Sequence, residues 1–168
     1  MIAFVYFDYQ IQASQTAYSV LSSLLRQLVA AFEQVPLSVS ESFKKHETPT
    51  LDEIVRLLHL LLLESSNVVY IVVDALDECN TQERRRFLDA IKPLAKMDSV
   101  RLFVTARPHV EDIRRAFDNQ PVMEIKATDN DLRLYLHREL SLEGIYTAID
   151  ESFAQHIIET LINRAHGL

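Results

Sequence analysis

Glycine is nearly missing from this chain: its 168 residues hold two, Gly144 and Gly167, both late. A phosphate-binding loop needs several glycines so that successive backbone N–H groups can wrap an anion, followed by Lys and Ser or Thr at a helix start. No Gly-Lys pair exists, so such a cradle is excluded within these residues. Cysteine is limited to Cys79. That rules out an internal disulfide framework and fits a reducing compartment. Positive charge is in deficit, with a formal net charge of -7. No net basic field exists to attract phosphates, which argues against a general nucleic-acid binder. Long apolar runs are missing too. The richest, Leu57 to Leu63, contains His59 and is too short to span a bilayer. No signal peptide is read at Met1. The chain is expected to be soluble and cytoplasmic, with neither nucleic acid nor membrane as partner.

What remains is a globular composition, 48% hydrophobic and 24% charged, in a length that suits one domain with a sizeable core. Its most informative stretch is Val68-Val-Tyr-Ile-Val-Val-Asp-Ala-Leu-Asp-Glu-Cys79. Six apolar residues rich in β-branched side chains run into carboxylates at Asp74, Asp77 and Glu78. An unbroken apolar run of this length predicts a strand buried on both faces. Acidic residues at its carboxyl end lie where open α/β sheets place ligands. They could hold hydrated Mg²⁺ and orient or deprotonate a water; equally, they could form a solvated turn that caps the next helix.

Around this strand the chain alternates. Ile2 to Asp8 predicts a strand. A long helix comes next, with Tyr18, Leu21, Leu25, Leu28, Val29 and Phe32 on one stripe, closed by Pro36. Residues 38–48 read as a loop or short irregular helix. Thr50-Leu-Asp-Glu53 is a capping-box start for a helix with Ile54, Leu57, Leu58, Leu61 and Leu62 inward. Asn80-Thr-Gln-Glu83 opens another, with Phe87, Leu88, Ile91 and Leu94 inward, while Arg84, Arg85 and Arg86 read as a solvated face. Val100 to Val104 is a strand ending in Thr105-Ala-Arg-Pro108. Val110, Ile113 and Phe117 suggest a short helix, and residues 121–126 a last strand. From about residue 128 no strand signal remains: Thr128 to Asp131 caps one helix, with Leu132, Tyr135, Leu136 and Leu140 inward. Asp150 opens another, with Ile157, Ile158, Leu161 and Ile162 inward. Alternating strands and helices argue for a parallel, three-layer α/β/α sheet.

The apolar run followed by Asp, then Asp-Glu three positions on, resembles the Walker B motif of P-loop NTPases. Asp-Ala-Leu-Asp-Glu-Cys resembles the NACHT type within the STAND class of signalling NTPases, in particular the nephrocystin-3-like N-terminal domains abundant in fungal proteins. Phe7-Asp8-Tyr9 with Gln12 to Thr16 is similar to the family's second strand and the segment directly after it. Thr105-Ala-Arg-Pro108 is similar to its sensor segment, Ala106 standing where Ser is commoner. The resemblance runs from about residue 4 to 168. It implies residues 1–127 as a partial NACHT-like NTPase core, entered at its second strand without the Walker A portion, and residues 128–168 as the start of a helical region, cut after Leu168. In the family, ATP or GTP with Mg²⁺ works an oligomerisation switch, often beside ankyrin, WD40 or tetratricopeptide repeats and often in innate immunity. Carried over, Asp74 is the Mg²⁺ carboxylate, Glu78 with Asp77 positions or activates water, and Arg107 with Thr105 contacts the γ-phosphate. Partners would be further copies or other domains of a parent protein.

The family places its Walker A strand between the sensor strand and the last strand. Without it the sheet must leave a gap, close up, or borrow a strand from a partner. Lacking the phosphate cradle, the chain alone is expected neither to bind nucleotide tightly nor to hydrolyse it. The alternative is a non-catalytic scaffold that binds no nucleotide, in which Arg107 pairs with a loop carboxylate. A receiver-like or flavodoxin-like domain is disfavoured, because an early acidic pair and a later strand-end Lys are missing.

Overall fold

A computed structural model describes residues 1–43, 48–142 and 150–165. Both glycines, and the expected cut after Leu168, lie outside the described residues. The chain divides into two compact units, residues 1–119 and 120–168.

The first unit is α/β. Its strands β1 (Ile2–Tyr6), β2 (Val69–Asp74) and β3 (Val100–Val104) form a three-stranded parallel sheet in the order β1-β2-β3. Ile2 pairs with Tyr70, and Val72 with both Phe4 and Phe103. Between strands come α1 (Ala17–Ala30), α2 (Leu37–Phe43), α3 (Leu51–Glu64) and α4 (Thr81–Leu94), with α5 (Glu111–Ala116) after β3. Each long helix starts where its sequence offers a side-chain acceptor. Thr16 accepts from the N–H of Ser19, and Asn80 accepts from that of Gln82. Thr50 and Glu53 close the expected capping box. These contacts satisfy backbone donors that helix starts leave unpaired.

The leucine stripe of α3 is buried as expected, from Ile54 through Leu57, Leu58, Leu61 and Leu62, and so are Phe87, Leu88, Ile91 and Leu94 of α4. The α1 stripe is turned slightly from its expected position: Ala17, Val20 and Leu24 are inside with Leu21, Leu25 and Leu28, and Tyr18 is exposed. The helix also stops at Ala30, well before Pro36, whose carbonyl starts α2 by accepting from Val39 and Ser40.

Within the first unit, the described helices pack on one face of the sheet. Ala3, Val5, Val69, Ile71, Val73 and Val100 join the core, whereas Tyr70 is 51% and Phe103 50% exposed. The expected burial of β2 on both faces is therefore corrected: along the strand, buried residues alternate with exposed or half-buried ones. The reason lies in the topology. Right-handed crossovers that step the same way from β1 to β2 to β3 put their helices on the same side. The apolar character of Tyr70 and Val72 gave no hint of that.

The two sheet edges differ. On β1 the Gln27 side-chain amide accepts from the Phe4 N–H (2.9 Å) and donates to the Phe4 carbonyl (2.8 Å). The Gln15 amide donates to the Tyr6 carbonyl (2.7 Å). Side chains thus occupy groups that would otherwise template another strand. Among the described residues no strand pairs with the outer edge of β3.

The second unit holds α6 (Asp129–Leu142) and α7 (Glu151–Ala165). Thr128 and Asp131 cap α6 reciprocally. Its expected inward residues, Leu132, Tyr135, Leu136 and Leu140, are not buried, whereas Ala154, Ile158 and Ile162 of α7 are. The strand expected at residues 121–126 is absent: the segment is exposed and unpaired. A strand is a pairing, and apolar alternation without a neighbour does not make one. No helix among the described residues is long and apolar enough to cross a membrane.

Candidate site at the carboxyl ends of the strands

Leaving β2, the chain turns sharply. Ala75 adopts a left-handed conformation (φ 53°, ψ 44°), which sends Leu76 into the core and starts a 3-10 turn over Leu76–Glu78. The end of β3 holds this turn in place. The Thr105 hydroxyl accepts from the Ala75 N–H (2.9 Å), and the Thr105 carbonyl accepts from the Leu76 N–H (3.0 Å). The same hydroxyl donates to Oδ1 of Asp74. Asp74 and Thr105, which belong to separate motifs, thus meet at the strand ends.

A left-handed L-residue costs about 1–2 kcal/mol, partly offset in a glycine variant by the greater freedom of its unfolded chain. Ala75→Gly is therefore expected to stabilise the first unit by about 0.5 kcal/mol, and Ala75→Val to destabilise it by over 1 kcal/mol. Urea denaturation reads both. A destabilised Ala75→Gly would mean that the turn is not left-handed in solution.

Each remaining candidate has a partner within the fold. Asp77 is nearly buried, and its carboxylate accepts from the Arg107 backbone N–H (3.2 Å) and pairs with Arg107 Nε (3.4 Å). Glu78 reaches the segment after β1, where its Oε2 accepts from the Tyr9 N–H (3.0 Å). The Gln12 amide donates to the Glu78 carbonyl. Glu83, one turn into α4, accepts from the Ala17 N–H (2.8 Å) and so caps α1 from outside it.

Arg84 reads in the sequence as part of a solvated arginine run, and the structure brings it to this site. Arg84 is 7% exposed, where a solvated face was expected. Its Nη1 donates to the carbonyls of Asp77 (3.2 Å) and Cys79 (2.8 Å), and it forms a two-pronged pair with Asp112 of α5 (2.9 and 3.2 Å). Arg84 therefore fixes the acidic turn from beneath. An arginine on an otherwise apolar helical stripe with Phe87, Leu88 and Ile91 was the available signal. Cys79 is not a nucleophile here: it is buried, and burial pushes its thiol up to about 11.

Among the described residues no three His, Cys, Asp or Glu side chains are grouped to hold a metal ion. The donor set is instead one exposed strand-end carboxylate beside a hydroxyl, which suits an ion that keeps most of its waters, such as Mg²⁺. It does not suit a fully caged ion.

Fold and site together define a parallel α/β domain with an acidic turn and a threonine–arginine segment at the carboxyl edge of its sheet. The family model described as Nephrocystin 3, N-terminal, matches residues 1–107, well over half the chain, and the chain belongs to that family. The match runs through the acidic turn and ends at Arg107. Comparison with curated proteins and with solved structures returned no match.

Proposed function

We propose that this chain is the carboxylate-and-sensor half of a nucleotide-dependent signalling switch of the NACHT class. Asp74 is its Mg²⁺ carboxylate, Glu78 with Asp77 orients water, and Arg107 with Thr105 reads the terminal phosphate of ATP or GTP. The observation that carries this reading is the meeting of Asp74 with Thr105, and of Asp77 with Arg107, at the carboxyl edge of a parallel sheet, where such sheets bind ligands. The edge of β3, unpaired among the described residues, supports it further, because the family resemblance puts the phosphate-loop strand there. When bound, Mg²⁺ and nucleotide would supply the reacting phosphate and its charge neutralisation. The chain's own part is to hold a carboxylate at the ion, a second near the water, and a guanidinium that leaves Asp77 for phosphate oxygens.

With no glycine-rich loop among these residues, phosphate affinity must come from a segment outside them. Calorimetric titration of the chain with Mg²⁺-ATP and Mg²⁺-GTP is expected to show no tight binding. A form carrying an added phosphate-loop strand and helix is expected to bind. Mg²⁺-dependent hydrolysis by the unmodified chain, abolished in Glu78→Gln, would overturn the division of roles.

A second reading, a non-catalytic scaffold, is favoured by one observation: Asp77 and Glu78 already have partners within the fold. Absence of binding by both forms would select it.

A further inference from the structure

Asp74, Asp77 and Glu78 share one short turn, yet no three such side chains are grouped to hold a metal ion among the described residues. The turn disperses them. Asp74 goes to the Thr105 hydroxyl, Asp77 to Arg107, and Glu78 across to the segment after β1. The last of these contacts differs in kind from the other two, because it draws a carboxylate toward the opposite neighbouring strand.

Two carboxylates downstream of β2 reach that segment. Glu83 supplies an acceptor to the half-buried Ala17 N–H at the start of α1, a donor the helix itself leaves unpaired. Glu78 has no such duty. The 3-10 turn Tyr9–Ile11 already has its cap, since Asp8 Oδ1 accepts from the Gln10 N–H at 2.8 Å. The bond from Tyr9 N–H to Glu78 Oε2 is exposed, so water can take the place of the carboxylate. A hydrogen bond that water can replace adds little to stability. What it does fix, together with the Gln12 amide on the Glu78 carbonyl, is the direction in which Glu78 points.

We propose that the Tyr9 N–H and the Gln12 amide form a latch that holds Glu78 away from a cation on Asp74. Released, Glu78 accepts from the waters that such an ion keeps. Tyr9 and Gln12 are positioning residues, acting only through Glu78. The latch rests on Asp74 being the Mg²⁺ carboxylate proposed above, and it regulates that same site. Metal-bound waters are stronger donors to a carboxylate than a solvated amide, so the arriving ion itself draws the latch open. A second carboxylate about 6 Å from a divalent ion in screened water raises its affinity roughly threefold.

Titration of the isotope-labelled chain with Mn²⁺ tests this. Mn²⁺ takes the same carboxylate and water ligands as Mg²⁺, and its unpaired electrons broaden the NMR signals of nearby N–H groups, here those of Asp74 and Ala75. Tyr9→Pro removes the latch donor. Proline suits the first position of a helical turn, and Asp8 before it is already extended (φ -140°, ψ 121°), as proline requires. This variant is expected to bind Mn²⁺ roughly threefold more tightly than the parent chain. Tyr9→Ala keeps the N–H and should bind as the parent does, and adding Glu78→Gln to Tyr9→Pro should erase most of the gain. If circular dichroism finds Tyr9→Pro unfolded, Gln12→Leu takes its place, with a gain in the same direction. Equal affinity in the parent and the unlatched variant, or a gain untouched by Glu78→Gln, would overturn the latch and leave the Mg²⁺ assignment standing. Mn²⁺ that leaves the Asp74 and Ala75 signals sharp in every form would overturn both.

Discussion

Phe87→Ala is expected to destabilise the first unit by about 4 kcal/mol, read as a lower urea midpoint at unchanged slope. Phe87 is 1% exposed on α4, and its ring meets that of Phe7 edge to face at 5.7 Å with the planes 79° apart. Truncation removes the transfer energy of a whole ring and leaves a cavity that rigid neighbours only partly fill. Domains of this size hold a total of about 5–15 kcal/mol, so the loss is a large share. Phe7→Ala should cost nearly as much, and the double variant should fall short of the sum by about 1 kcal/mol, the edge-to-face term. The pair also bears on the site. Phe7 comes directly after β1, and its N–H donates to the Asp74 carbonyl (3.1 Å), so losing Phe87 loosens the segment whose Tyr9 holds Glu78. A loss below about 1.5 kcal/mol would mean that the cavity collapses and the ring contact is not a fixed part of the fold.

Much of this was legible because it rests on local rules. The start of α3 was readable from Thr50 and Glu53, its inward face from leucine spacing, β2 from its β-branched run and β3 from its apolar residues at 100, 102, 103 and 104. Asp74 and Thr105 could be named separately, although their hydrogen bond could not, because it joins residues brought close only by parallel pairing. What was missed depends on distant partners. Arg84 reads as one of three surface arginines until Asp112, on another element, supplies a carboxylate. Tyr70 and Val72 read as buried because their side chains are apolar, whereas burial requires a covering layer, and crossover geometry puts the helices on the other side. Residues 121–126 have strand composition without a strand neighbour. The left-handed turn at Ala75 had no signal, since glycine or asparagine would have announced it. The capture of Glu78 by the Tyr9 N–H joins two loops that nothing in the spacing of either motif connects.

The other large effect concerns the ion pair beneath the acidic turn. Asp112→Ala is expected to cost about 3 kcal/mol, because it strands a buried guanidinium whose other bonds go only to carbonyls. Arg84→Met should cost less, about 2 kcal/mol: Asp112 keeps about a quarter of its surface in water and can rehydrate, while the carbonyls of Asp77 and Cys79 lose their donor. Replacing both, as Arg84→Met with Asp112→Leu, should cost far less than the two losses added. The pair also leaves a signature in pH. Partial burial pushes the Asp112 carboxyl up, but the hydrogen bonds and charge of Arg84, with the Ile113 N–H, outweigh it and hold the group below its ordinary 3.8. A carboxyl depressed in the folded state contributes stability that is fully present above its unfolded value and is lost as pH falls through its folded value. Stability should therefore be insensitive to this pair above about pH 5 and should fall below about pH 4. Exposed Glu111, Asp131 and Asp150 are depressed in the same direction, so the contribution of Asp112 appears as a difference: Arg84→Met should show a shallower acid slope than the parent chain. Because Arg84 also grips the carbonyls on either side of Glu78, the same variant should speed hydrogen exchange at the N–H groups of Glu78 and Cys79 while leaving α3 protected. Identical acid slopes and unchanged exchange would show that the acidic turn holds its shape without the arginine.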